Sequence, residues 1–132
     1  MIVVDTTVWA DWFNGAHTPE VDRLDHALAA QEAGLTPLIL TEVLQGFRAN
    51  ADFERARALL ARLPVLELDV AGHVAAAGLF RRLRRRRITV RGAVDCVVAQ
   101  TCMLAGAELL TKDRDFTAIA RYAPLRLCAV RP

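Results

Sequence analysis

The sequence predicts an α/β fold, with a short, mostly parallel central sheet and helices on both faces. Short apolar runs such as Ile2-Val3-Val4 and Leu109-Leu110 alternate with longer segments whose apolar residues recur at helical spacing, the pattern of a parallel sheet with helical crossovers. Those short runs are apolar throughout, as strands buried on both faces require. With 132 residues and 54% hydrophobic content, the chain supports one core and is expected to be a single domain over 1–132.

Each element has a local reason. Ile2 to Asp5 reads as a buried strand, and Thr6 to Phe13 as a helix with Val8, Trp9, Trp12 and Phe13 on one apolar side, stopped by Asn14-Gly15. The two tryptophans lie on that apolar side and are read as core or dimer contacts, not as platforms for stacking bases. Thr18-Pro19-Glu20 has the form of a helix start, with Thr18 as N-cap and Pro19 at the first helical position. Val21, Leu24 and Leu28 give that helix a buried stripe, and it is expected to end near Ala33-Gly34. Leu35-Thr36 reads as a brief second strand, followed by helices over about Pro37 to Ala49 and Asp52 to Leu63, with Pro64 as terminator. Val65 to Leu68 reads as a strand, Val70 to about Arg86 as a long helix, and Ala93 to Leu104 as a helix closed by Ala105-Gly106-Ala107. Strand Glu108 to Thr111, helix Phe116 to Tyr122 and strand Arg126 to Val130 complete the alternation.

Four acidic residues sit where the local patterns do not require them: Asp5, Glu42, Asp95 and Asp113. In open parallel sheets the ligand crevice lies beyond the carboxyl ends of the strands. Asp5 and Asp113 each end a strand-like run, so both are expected to face that crevice, while Glu42 and Asp95 sit early in helical segments. If all four converge, carboxylates ~4 Å apart at an effective dielectric near 20 repel by about 4 kcal/mol per pair. Such a cluster persists by shifting its pKa values or by holding a hard divalent cation such as Mg²⁺. Taken singly, each acid has a simpler explanation: Asp5 as a helix cap, Glu42 and Asp95 as partners of helix dipoles, Asp113 and Asp115 as turn residues. Their joint placement favours the metal site.

Composition narrows the function further. No apolar stretch approaches the roughly 20 residues of a membrane helix, and the first residues lack the layout of a signal peptide, so the protein is expected in the cytoplasm. Cys96, Cys102 and Cys128 form no C-x-x-C pair and read as small buried hydrophobes, and His17, His26 and His73 lack ligand spacing. The net charge of +2 conceals a cluster, Arg81, Arg82, Arg84, Arg85, Arg86 and Arg87, followed by Arg91. Guanidinium groups bind phosphate oxygens in bidentate fashion, which suits a nucleic-acid backbone. Lys112 is the sole lysine, so a general preference for arginine is an alternative explanation of the run.

The acidic islands, taken in order, resemble the motifs of the PIN-domain ribonucleases, and within them the VapC toxins of bacterial toxin–antitoxin pairs. Val4-Asp5-Thr6-Thr7-Val8-Trp9 with Asp11-Trp12-Phe13 is similar to the first motif, Thr41-Glu42-Val43 to the second, Val94-Asp95-Cys96-Val97-Val98-Ala99 to the third, and Thr111-Lys112-Asp113-Arg114-Asp115-Phe116 to the fourth. Each island alone is weak; all four at these separations in a domain of this size are specific. The resemblance implies a PIN-like, Rossmann-like sandwich and Mg²⁺- or Mn²⁺-dependent cleavage of RNA by attack of water, leaving 3′-hydroxyl and 5′-phosphate ends. It implies that Asp5, Glu42, Asp95 and Asp113 are the catalytic and metal-binding acids, with Asp115 as an accessory ligand. Thr111, and Thr6 or Thr7, would be hydroxyls that orient a carboxylate or a water. Arg114 and the region from Arg81 to Arg91 would steer and seat RNA. It also implies a cognate antitoxin and a homodimer.

Other readings remain: a PIN-type RNA-processing nuclease that is not a toxin, or a non-catalytic metal-binding module in RNA binding or signalling. A phosphoaspartyl hydrolase with Asp5 as nucleophile would need a second acid two residues on, where Thr7 stands.

Overall fold

The structure, a computed structural model, describes residues 1–131. Strands β1 (Ile2–Val4), β2 (Ala33–Gly34) and β3 (Glu108–Leu110) alternate with helices α1 (Thr6–Phe13), α2 (Pro19–Ala29), α3 (Pro37–Gln45), α4 (Asn50–Leu60), α5 (Val70–Arg85), α6 (Ala93–Ala105) and α7 (Arg114–Tyr122). All three strands are parallel in the order β2-β1-β3, with Ile2 opposite Ala33 and Glu108, and Val4 opposite Leu110. Every residue of β1 is buried, so the central strand is covered on both faces, as its apolar sequence demands. The helices pack as two groups, α1 to α4 and α5 to α7. Trp9, Leu24, Ile39, Leu79, Leu83, Leu109, Leu110 and Phe116 lie within the core. Trp9 is therefore a core residue, and Trp12 meets it edge-on with ring centroids 5.8 Å apart.

Local signals in the sequence hold where a capping residue marks the boundary. Thr18 caps α2 by accepting the Val21 N–H at 3.0 Å, and Pro19 opens it. Gly106, at φ 65°, closes α6 in the left-handed conformation that glycine adopts without strain.

Several boundaries differ from the sequence reading. Helix α2 stops at Ala29, well before Ala33-Gly34, because Gln31 turns into the left-handed region at φ 58° and the Glu32 N–H reaches back to the Ala27 carbonyl. The freed residues Ala33–Gly34 become β2 in place of Leu35-Thr36, since Thr36 is committed to capping α3 through the Ile39 N–H at 3.2 Å. The helix expected to reach Ala49 breaks after Gln45 at Gly46, a poor helix former, and Phe47 packs edge-on against Phe13. Helix α4 then runs from Asn50 to Leu60, not from Asp52 to Leu63. The strands expected at Val65 to Leu68 and Arg126 to Val130 shrink to single parallel bridges, Leu35 with Val65 and Leu109 with Leu127, which flank the sheet on its two sides. Asp69 ends the first by capping α5 through the Gly72 N–H at 2.7 Å.

The strand order fixes where function sits. From central β1 the chain first moves to β2 on one side and later to β3 on the other. The carboxyl ends of β1 and β3 thus flank a point of divergence, where open α/β sheets bind ligands. Asp5 follows β1 directly, and Thr111 and Asp113 follow β3.

Candidate metal-dependent active site

Asp5 is the most buried of the acids, at 7% exposure. It occupies the N-cap position of α1, yet its side chain makes no capping hydrogen bond. One carboxylate oxygen, Oδ2, instead accepts from both the Thr7 and Thr111 hydroxyls at 2.9 Å. Burial raises the Asp5 pKa, the two threonine hydroxyls and a backbone bond at Thr6 counter that, and the charge of Asp113 adds to the rise. Thr111 couples the two strand ends, because its hydroxyl oxygen also accepts the Asp113 N–H at 2.9 Å. On the other side, the Thr6 hydroxyl donates to Glu42 Oε1 at 3.1 Å. Adjacent threonines at the start of α1 therefore hold two different acids.

Asp95, Asp113 and Asp115 form the tight centre of the group, each offering an oxygen such that all lie within 4.8 Å of one another. All three sit at helix starts, where the N-terminal dipoles offset part of their charge: Asp95 in the first turn of α6, Asp113 as N-cap and Asp115 in the first turn of α7. The capping role is real for Asp113, whose Oδ1 accepts the Asp115 N–H at 2.9 Å. It does not use up the carboxylate, whose Oδ2 pairs with Arg91. Asp5 and Glu42 stand outside the tight group. Asp5 is nonetheless close enough for its charge to act on Asp95.

Partial burial, followed by the charges of Asp113, Asp115 and Asp5, pushes the Asp95 pKa up to about 7, against a smaller opposing pull from Arg91. Asp115 is held below the usual carboxylate range, chiefly by the backbone N–H of Arg91 and then by its guanidinium. The donor set suits a hard divalent cation: carboxylate oxygens with no sulfur or imidazole among them, crowded enough that one acid resists ionisation until a positive charge arrives. The three histidines take no part in the group. Cys96 and Cys102 lie buried nearby, with burial pushing their thiols up to about 11 and about 12, so both stay protonated.

The cationic residues divide. Arg86 stacks over Tyr122 at 4.8 Å and Arg84 over Phe80 at 5.5 Å, which ties both to aromatic rings of their own chain. Arg81, Arg82, Arg85 and Arg87 are exposed. Arg82, Arg84 and Arg85 also fall in the last turn of α5, where positive charge is favoured. Two contacts escaped the sequence reading. Lys112 pairs with Asp11 of α1. Arg91, counted there among the RNA-seating arginines, bonds both Asp113 and Asp115. Its place one residue before Gly92, at the mouth of an acid-bearing helix, was the available signal.

Comparison with known proteins agrees with this architecture. A family model of the PIN domain matches residues 2–122. The chain belongs to the PIN-domain family. Within that family it is similar to VapC ribonucleases. It is 34% identical over 135 residues to VapC ribonuclease Mb1587 of Mycobacterium bovis, covering 99% of this chain and 100% of that protein. It is 33% identical over 120 residues to ribonuclease VapC32 of Mycobacterium tuberculosis, covering 86% of each. Among solved structures, VapBC2 of Rickettsia felis bound to a promoter DNA fragment superposes with TM-score 0.75 at 15% identity, over 97% of this chain and 98% of that one. Mycobacterium tuberculosis VapC20, a sarcin–ricin loop cleaving toxin, superposes with TM-score 0.66 at 19% identity, over 96% and 99%. These structural likenesses establish the shared fold.

Proposed function

We propose that this chain is a divalent-metal-dependent endoribonuclease, the toxin of a type II toxin–antitoxin pair that a cognate antitoxin neutralises. The observation that carries the reading is the convergence of Asp95, Asp113 and Asp115 beside Asp5 at the carboxyl ends of β1 and β3, in a chain 34% identical to a VapC ribonuclease. Asp95, Asp113 and Asp115, with Asp5 and Glu42 alongside, would hold Mg²⁺ or Mn²⁺ directly or through water. Such an ion supplies a bound water of lowered pKa and offsets charge on the phosphate oxygens. The residues of the chain do the rest. Thr7 and Thr111 fix one oxygen of Asp5, and Thr6 fixes Glu42. Arg114 and the exposed arginines near the end of α5 attract and seat the RNA backbone.

The protein is proposed to work in the cytoplasm as a homodimer. Among the described residues, no helix is long and apolar enough to cross a membrane. Solved neighbours of the same fold include toxin–antitoxin complexes, which supports an antitoxin as partner. Expression in a bacterial host tests the toxin reading: wild type should arrest growth, and Asp5→Ala at equal protein level should not. Equal growth of both strains would count against a toxin while leaving the nuclease to be tested in vitro.

A further inference from the structure

Arg91 makes three bonds to the acidic group. Its backbone N–H and Nε both donate to Asp115 Oδ2, at 3.0 and 3.2 Å, and a terminal guanidinium nitrogen pairs with Asp113 Oδ2. These bonds occupy acceptor sites that a cation would need. Asp113 Oδ1 already accepts the Asp115 N–H, and the two bonds to Asp115 Oδ2 fill its two lone pairs. The side chain is nevertheless 76% exposed, so little packing resists its departure. The backbone N–H bond to Asp115 is separate from those of the side chain and does not depend on the guanidinium.

We propose that Arg91 is a positioning residue that serves as a replaceable internal counter-ion. It neutralises Asp113 and Asp115 in the metal-free protein, yields them to the divalent cation, and then grips the RNA phosphate beside the site. The inference rests on the metal-dependent nuclease reading above. Two like charges cannot share the same carboxylate oxygens without repulsion, so guanidinium and metal compete. Once displaced, the guanidinium remains tethered beside the acids by its own backbone, and its planar fork suits two oxygens of one phosphate. Arginine at this position thus differs from the arginines of α5, whose guanidinium groups make no bond to the acids.

Mn²⁺ titration of the RNA-free protein by calorimetry or by electron paramagnetic resonance tests the competition. Exposed ion pairs shift equilibria by factors of up to about five each, so Arg91→Gln should bind Mn²⁺ roughly three- to tenfold more tightly than wild type. Arg91→Lys, which keeps the charge without the fork, should fall between them. With Mn²⁺ saturating, Arg91→Gln should raise KM for a single-stranded RNA by a similar factor while kcat changes less. Unchanged or weaker Mn²⁺ binding by Arg91→Gln would overturn the competition and assign Arg91 to pre-organising the acids. Tighter Mn²⁺ binding with an unaltered KM would overturn the phosphate grip. If wild type binds no Mn²⁺ and Asp95→Asn behaves identically, the metal-site reading itself fails and this proposal falls with it.

Discussion

Replacing Asp95 by Asn should stabilise the metal-free protein, and only where Asp95 would otherwise be ionised. The ordinary value of 3.8 becomes about 7 in the fold, through burial and then the charges of Asp113, Asp115 and Asp5. The folded state therefore keeps this proton up to near neutrality, whereas the unfolded chain loses it near pH 4. Between those limits the folded state binds more protons, so stability falls as pH rises from about 4 to about 7 and stays low above that. At 1.36 kcal/mol per tenfold change the full effect is about 4 kcal/mol. Because Asp95 is only partly buried, solvent screening reduces this to about 2 kcal/mol. Asparagine removes the ionisation at nearly the same size and shape. Calorimetric melts in EDTA at pH 8 should show Asp95→Asn higher by roughly 5 to 8 °C. At pH 4 the two proteins should melt within a degree or so of each other. A mutant no more stable at pH 8, or an equal gap at both pH values, would refute the electrostatic account of the cluster.

Other perturbations separate the parts. Thr111→Val removes the hydroxyl that joins Asp5 to the Asp113 backbone; chemical denaturation should show a loss of about 1 to 2 kcal/mol, and cleavage should drop roughly 10- to 100-fold as for other groups that orient metal ligands. Arg87, just beyond the end of α5, has φ 58°, so Arg87→Gly should raise the unfolding free energy measured by chemical denaturation by about 1 kcal/mol, the strain of a left-handed non-glycine residue. A triple change of Arg81, Arg82 and Arg85 to Gln avoids the arginines stacked on Phe80 and Tyr122. It should lower RNA affinity and reduce the log–log salt slope by roughly 0.7 per lost phosphate contact, with cleavage at saturating RNA little changed; a wild-type slope would return these residues to a solvated helix end.

Much of the fold was legible because its signals are local. The apolar runs Ile2-Val3-Val4 and Leu109-Leu110 mark the strands, and Thr18-Pro19 and Gly106 mark helix ends by their own backbone preferences. The misplaced second strand shows the limit. Whether Ala33-Gly34 or Leu35-Thr36 pairs with β1 depends on Gln31 turning left-handed and Thr36 capping α3, and neither residue type requires that conformation. The bridge at Val65 fails to extend for a similar reason: Asp69 claims the chain for α5, and strand propensity has no say in that. For the site, strand-end placement pointed to Asp5 and Asp113 facing one crevice, and the structure sets them within electrostatic reach of each other. Pattern could not show that Asp115 joins Asp95 and Asp113 in the tight group while Glu42 hangs from Thr6 at its side. Nor could it show Arg91 lying across the acids, since that contact spans 22 residues and a loop.

The most direct test of the central claim is cleavage of a 5′-labelled single-stranded RNA by the purified protein with Mn²⁺, with EDTA, and with Asp95→Asn in place of wild type. Metal-dependent hydrolysis at the aspartate cluster predicts cleavage with Mn²⁺, none in EDTA, recovery on adding excess Mn²⁺, 5′-phosphate on the downstream fragment, and no detectable product from a folded Asp95→Asn protein. Cleavage that persists in EDTA, products ending in a 2′,3′-cyclic phosphate, or a wild-type rate from Asp95→Asn would contradict it.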